Sequence, residues 1–242
     1  MGMTGTTSRT LTFNGISSKD LFLVVESGDI LSSAEYDIEF EEVPGMNGNV
    51  SFSKKRWKNK EVTYVLATCR DITSRAMSLH SWLFSDPEKY CRLEDSDTPD
   101  FYYMAMFLGP VDVETRVMRF GKTEIEFTRK PQRFYKSGED PITVTSEVTL
   151  VNPSNFTALP FIRIYGHGTV NVGNVQVTVA EHSNPYVDID CERKYSSYGS
   201  ERMNQYITIT DHQYPSLGAG NTGVQVSGEI TKVEITPRWW TL

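Results

Sequence analysis

The chain has 242 residues, a net charge of −7 and three cysteines, Cys69, Cys91 and Cys191, none in a C-x-x-C pair. That length supports a hydrophobic core without a disulfide or metal staple, and the odd, scattered cysteines argue against a secreted disulfide framework or a zinc site. No apolar run approaches the roughly 18 residues of a membrane span, and an acidic balance speaks against generic nucleic-acid binding. The charge is uneven: residues up to Lys136 hold 18 Lys/Arg against 20 Asp/Glu, and from Ser137 onward 6 stand against 11. Met1 to Thr6 lack the charged-then-apolar order of a signal peptide and are expected to be a flexible tail.

Arg9 to Phe13 alternates polar and apolar residues up to the turn dipeptide Asn14-Gly15, and Leu21 to Glu26 reads as a buried strand. Tyr36 to Val43 alternates cleanly, with Tyr36, Ile38 and Phe40 on one face and Asp37, Glu39 and Glu41 on the other. The turn cluster Pro44-Gly-Met-Asn-Gly48 and the extended stretch from Asn49 complete a hairpin. One arm is acidic, with Glu39, Glu41 and Glu42. The other carries Lys54, Lys55, Arg56 and Lys58 around Trp57. Basic residues around an aromatic suit nucleic acid, but pairing with the acidic arm or with an acidic neighbouring subunit is the simpler reading.

Glu61 to Cys69 is a strand, after which the period changes. Asp71 can cap a helix over roughly Thr73 to Phe84, in which Ile72, Ala76, Leu79 and Leu83 recur at helical spacing. Strands follow at Tyr90 to Glu94, Phe101 to Leu108, Val111 to Arg119 and Lys122 to Phe127. Asp95, Asp97 and Asp100 lack the glycine and distal glutamate of a calcium loop and read as a polar hairpin tip. Phe127 to Pro141 is then the seam: Pro131 cannot donate to a ladder, and Ser137-Gly-Glu-Asp-Pro141 is a turn or linker. Two domains are expected, 1–136 and 137–242.

Beyond the seam, short strands at Glu147 to Val151, Leu159 to Gly166, Gly168 to Val172, Val175 to Val179, Tyr186 to Asp190, Gln205 to Thr210, Gly223 to Ser227 and Lys232 to Thr236 alternate with turns and no helix. That is the grammar of a β-sandwich. Gly166-His-Gly168 reads as a β-turn. The fold class is therefore mainly β, with one helix and a long hairpin in the first domain and a sandwich in the second.

Catalytic signals are thin. Asp188, Asp190 and Glu192 share one face of a strand, which suits paired-carboxylate chemistry or a metal; a solvated strand face gives the same pattern. The four histidines show no HExxH spacing, and no nucleophile elbow, Walker loop or dinucleotide fingerprint exists. Cys69 and Cys191 read as small buried hydrophobes. No enzyme activity, cofactor or metal is expected.

Several segments in order resemble the distal tail (Dit) proteins of siphophage baseplates, over nearly the whole chain. They are Phe13 to Asp20, Val43 to Gly48, Ser81 to Leu83, Arg92 to Tyr103 and Glu126 to Pro131 in the first half. In the second half they are Asn152-Pro153, Ala158 to Gly166, Val187 to Glu192 and Lys232 to Trp240. The resemblance implies an N-terminal β domain with one helix that assembles into a homo-hexameric ring, and an outward-facing C-terminal galectin-like β-sandwich. It implies a place at the distal end of the virion tail, between the major tail (tube) protein and the tail-associated tip protein. DNA would be met only in transit, the membrane would not be entered, and receptor-binding or baseplate proteins could dock on the outer domain. The chain has no long extra segment and matches the short form without an inserted carbohydrate-binding module. The charged hairpin arms are expected to meet across subunits. The His-x-Asn-x-Arg strand of galectins is missing, which leaves Trp239 and Trp240 as the sugar or partner contacts to consider, against the plainer reading that they close the sandwich core.

Overall fold

The computed structural model describes residues 9–28, 32–68, 72–111, 113–115 and 121–242. It is mainly β, with curled sheets and, among the described residues, one α-helix, Ile72–Leu83. The chain divides into two compact units, Met1–Arg133 with Leu242, and Phe134–Thr241. The division falls inside a strand rather than in the Ser137 to Pro141 turn.

In the first unit the strands lie in the order Ile16–Ser17, Leu11–Phe13, Cys91–Asp95, Phe101–Phe107, Gly121–Tyr135, Lys60–Thr68, Val24–Gly28, with Val113–Thr115 also beside Gly121–Tyr135. Period-two alternation builds the core face. Thr123, Ile125, Phe127 and Arg129 point inward while Lys122, Glu124 and Glu126 point to water. Phe127 is fully buried at the centre, its ring 4.9 Å from Phe13, 5.6 Å from Phe107 and 6.1 Å from Tyr64. Burial of one such side chain contributes roughly 1.5–3 kcal/mol. The helix closes this core with Leu79, Trp82 and Leu83, and the buried Trp82 indole N–H donates to the Phe13 carbonyl at 2.9 Å. The Asp71 cap and Cys69 lie outside the described residues, as does most of the Val111 to Arg119 strand.

Pro131 does not end the sheet. Gly121–Tyr135 runs through it, and the rungs to Lys60–Thr68 stop at Arg129 opposite Lys60, two residues before the missing donor would matter. Likewise Leu21 and Phe22 precede the strand expected to contain them, which begins at Val24; Phe22 has φ 56°.

Tyr36–Glu42 and Asn49–Trp57 form a two-stranded sheet of their own, paired with neither larger sheet. Met46 N–H donating to the Val43 carbonyl closes the turn at 3.1 Å.

The second unit orders its strands Ile142–Val144, Gly220–Thr236, Phe161–Val172, Val187–Asp190, Tyr195–Tyr198, Glu201–Arg202. Glu147–Asn152 also pairs with Gly220–Thr236, and Val175–Val179 links Phe161–Val172 to Ile207–Ile209. Ile162, Ile164, Val170, Val172, Val233 and Ile235 fill its core. Two expectations are corrected here. Gly166-His167-Gly168 is not a turn, and the four short strands around it and its partner are two long ones. The register slips by one residue there, Tyr165 facing Lys232 and Gly166 facing Ile230, so Thr231 is the extra residue of a bulge. Gly166 and Gly168 have φ of 95° and 142°, and a Cβ on either would sit 2.2 Å from the Glu229 carbonyl oxygen or 2.4 Å from that of Ser227. Glycine bends the ladder without breaking it, because only glycine lets two backbones approach that closely.

Candidate functional site

The hairpin carries the residues singled out as an assembly site. Glu41 faces Val50, Phe40 faces Ser51, Glu39 faces Phe52 and Ile38 faces Ser53; Tyr36 next pairs with Trp57. Lys54, Lys55 and Arg56 therefore bulge opposite the single residue Asp37, with Lys55 at φ 54°. The bulge turns basic side chains onto the acidic strand. Arg56 Nε lies 2.8 Å from Asp37 Oδ2, Lys54 pairs with Glu39, and Lys58 Nζ lies 3.3 Å from Glu35 Oε2. The hydrogen bond from Arg56 holds the Asp37 carboxyl below the usual aspartate range, and the one that Lys54 donates to Glu39 raises the Lys54 ammonium. At the base, the Trp57 ring packs edge-on against Tyr36 at 4.9 Å.

These pairs lie within one chain. They satisfy Glu39, Lys54, Arg56 and Lys58 locally and set the register of the bulge. Glu41, Glu42 and Lys55 make no ion pair among the described residues.

The larger feature is apolar. Phe40 is 67% exposed and Phe52 52%, on opposite faces of the ribbon, with Met46 and Val43 uncovered at its tip. The alternation of Tyr36, Ile38 and Phe40 is that of a core-facing strand, yet among the described residues no other element covers that face. Met46 lies in the turn, where no alternation marks an apolar face, and Phe52 lies in the regular ladder opposite Glu39, on a strand whose alternation gave no sign that it would stay uncovered. An isolated two-stranded ribbon is marginal in water, and a contiguous exposed apolar patch marks an interaction surface.

Asp188 and Asp190 of the second unit are buried in ion pairs with arginine. Val187–Asp190 is buried at all four positions, so the solvated face expected for Asp188 and Asp190 does not exist. Arg163 clamps Asp188 with Nε and Nη2 at 2.6 and 2.9 Å. Asp190 accepts from Arg238 at 2.9 and 3.2 Å and from the backbone N–H groups of Glu192 and Arg193 at 3.1 Å each. Burial alone would raise the Asp190 pKa; the Arg238 and backbone hydrogen bonds outweigh it and hold the carboxyl below its usual value. Glu192 lies 3.6 Å from Arg238 at the surface. In the first unit Asp95 is buried against Arg9, with oxygens 2.6 to 3.2 Å from the guanidinium, while the Asp97 N–H donates to it. No group of three metal-ligating side chains occurs among the described residues. Cys191 is fully buried, and burial pushes its thiol up to about 12, far from nucleophilic.

Trp239 takes the plainer reading of a residue that closes the core, and Trp240 packs half-buried against it. Trp239 is 5% exposed within the second core. Trp240 stacks on Phe156 at 4.6 Å and donates its indole N–H to the Thr157 carbonyl at 3.0 Å. Both close the sandwich.

No protein-family model matches the sequence, and no curated protein matches it. Solved structures do. The crystal structure of the SPP1 Dit (gp 19.1) protein, described as a paradigm of the hub adsorption apparatus in phages infecting Gram-positive bacteria, matches 97% of this chain and 99% of its own. The TM-score is 0.69 at 13% identity. The phage p2 baseplate in its activated conformation with Sr matches at TM-score 0.51 and 9% identity, covering 94% of this chain and 96% of that one. The likeness covers both units. This chain has the fold of a Dit distal tail protein.

Proposed function

We propose that the chain is a structural hub of a phage tail tip. It forms a homo-hexameric ring at the distal end of the virion tail, joins the tube protein to the tail-associated tip protein, and lets DNA pass through its centre. The end-to-end likeness to SPP1 Dit carries this reading, because both units and nearly every residue of the two chains correspond. The uncovered apolar hairpin supports it, since a head-to-tail ring needs one surface on each subunit that is unsatisfied in the single chain. Residues 1–136 supply the ring, and residues 137–242 supply a platform for receptor-binding or baseplate proteins. Glu41, Glu42 and Lys55 are the hairpin charges left to meet a neighbour. Asp188 and Asp190, the buried aspartates of the second unit, are tied to arginines and work as struts, not as an acid–base pair.

Negative-stain imaging of the purified full-length protein tests the proposal. Six-fold rings with a central hole are expected. A field of single subunits at micromolar concentration, unchanged on adding the tube protein, overturns it.

A further inference from the structure

The second unit holds an open groove of about 570 Å³, lined by the Gly173–Asn174 turn, one end of Gly220–Thr236 and the loop at Ser216 and Gly218. That volume lies in the ~300–1,000 Å³ range of small-molecule sites. None of its eleven lining residues is charged or aromatic. Asn171, Asn174, Asn221 and Gln225 supply four amides, and Ser216 and Thr222 supply two hydroxyls.

The walls are held in place before any ligand arrives. Asn171 faces Gln225 in the ladder, and Gly173 N–H donates to the Gly223 carbonyl at 2.8 Å. The loop is pinned from below by buried Asn152, whose Nδ2 donates to the carbonyls of Leu217 and Gly218 at 3.1 Å each and of Phe156 at 2.8 Å. Leu217 also exchanges two backbone hydrogen bonds of 2.9 Å with Ala158. Gln225 Nε2 donates to Glu147 Oε1 at 3.2 Å, which orients the amide and leaves its oxygen to accept. Space is kept open by glycine: a Cβ on Gly218 or Gly223 would meet nothing within 4 Å.

We propose that this groove binds a neutral oligosaccharide. Amides and hydroxyls both donate and accept, which matches the mixed hydroxyls of a sugar. A charged ligand would give up its hydration for no opposite charge, and the 6 Lys/Arg against 11 Asp/Glu beyond Ser137 repel polyanions further. An extended peptide would need an unpaired strand edge. Glu147–Asn152 pairs with Gly220 to Gln225 on one side; on the other, Phe161–Val172 pairs from Val224 onward and the Gly173 N–H takes the Gly223 carbonyl, which leaves only Gly220 to Thr222 open, too short an edge for an added strand. With no aromatic ring to stack on, a single groove binds weakly and through hydrogen bonds alone. The inference concerns one subunit and does not depend on ring assembly.

Saturation-transfer NMR of the full-length protein with maltohexaose, cellohexaose and chitohexaose, and with a heparin hexasaccharide as the anionic probe, reads this directly. At least one neutral sugar should take up saturation. Gly223→Leu, which fills the groove from a position with room for a side chain, and Asn221→Ala, an exposed change, should each cut that signal by about tenfold, as loss of one or two hydrogen bonds implies. Melting temperatures should be unchanged. No saturation of any neutral sugar, saturation of heparin alone, or full signal in either folded variant overturns the proposal.

Discussion

Replacing Phe40 and Phe52 together by Ser addresses the hairpin without touching a core. The two rings are 67% and 52% exposed in the single chain. An aromatic side chain offers about 150–250 Å², so close to ~200 Å² of ring surface would be covered when a neighbour packs on both faces. At ~25 cal/mol per Å² that is a ceiling of about 5 kcal/mol per interface, and half of it corresponds to roughly a 100-fold weaker association. Sedimentation velocity over a concentration series should show assembly displaced to concentrations at least about 100-fold higher. Thermal unfolding of the dissociated chain should change by no more than ~0.5 kcal/mol, because both side chains are already in water. The single variants separate the faces of the ribbon. Unchanged assembly of the double variant at every concentration would refute the assignment of the hairpin to the interface. Reversing Lys54 or Arg56 is a poorer probe, since each is paired within its own chain.

Asp190→Asn keeps an oxygen for the backbone N–H groups of Glu192 and Arg193 but loses the charge facing Arg238. Urea unfolding at neutral pH should show a loss of about 1.5–3 kcal/mol, and a loss below ~0.5 kcal/mol would contradict the strut role. The folded-state pKa of Asp190 is depressed, so its contribution is present above the ordinary value of 3.8 and lost as pH falls through the lowered one. The difference between the two proteins should therefore hold from neutral pH down to about 4 and close below that. Gly168→Ala places a Cβ 2.4 Å from the Ser227 carbonyl oxygen at a φ of 142° and should cost roughly 2–4 kcal/mol. Gly223→Ala, whose Cβ meets nothing within 4 Å, is its neutral control in the same melting experiment.

Local physics was legible in the chain. Period-two alternation at Lys122 to Phe127 and Phe161 to Ile164 names the buried face of each strand, because a pleat sends successive side chains to opposite sides. Helical spacing at Ile72 to Leu83 and the turn cluster at Pro44 to Gly48 placed the helix and the hairpin for the same kind of reason. Gly166 and Gly168 were misread as a turn, because a glycine pair allows either a reversal or a bulge, and only the opposing carbonyls of Ser227 and Glu229 decide between them.

Burial of charge was not legible either. Asp188 and Asp190 alternate with apolar residues as a solvated face would, and become buried struts because Arg163, 25 positions away, and Arg238, 48 positions away, arrive over them. Conversely, Phe40 has the spacing of a core residue and is left in water, because its ribbon joins neither sheet. The sequence by itself determined where most strands, the helix and the Pro44 to Gly48 turn lie, and that charge is concentrated on the hairpin arms. Tertiary structure alone decided which polar groups are consumed inside the chain and which apolar surface remains for a partner, since both depend on what distant segments bring to the same place.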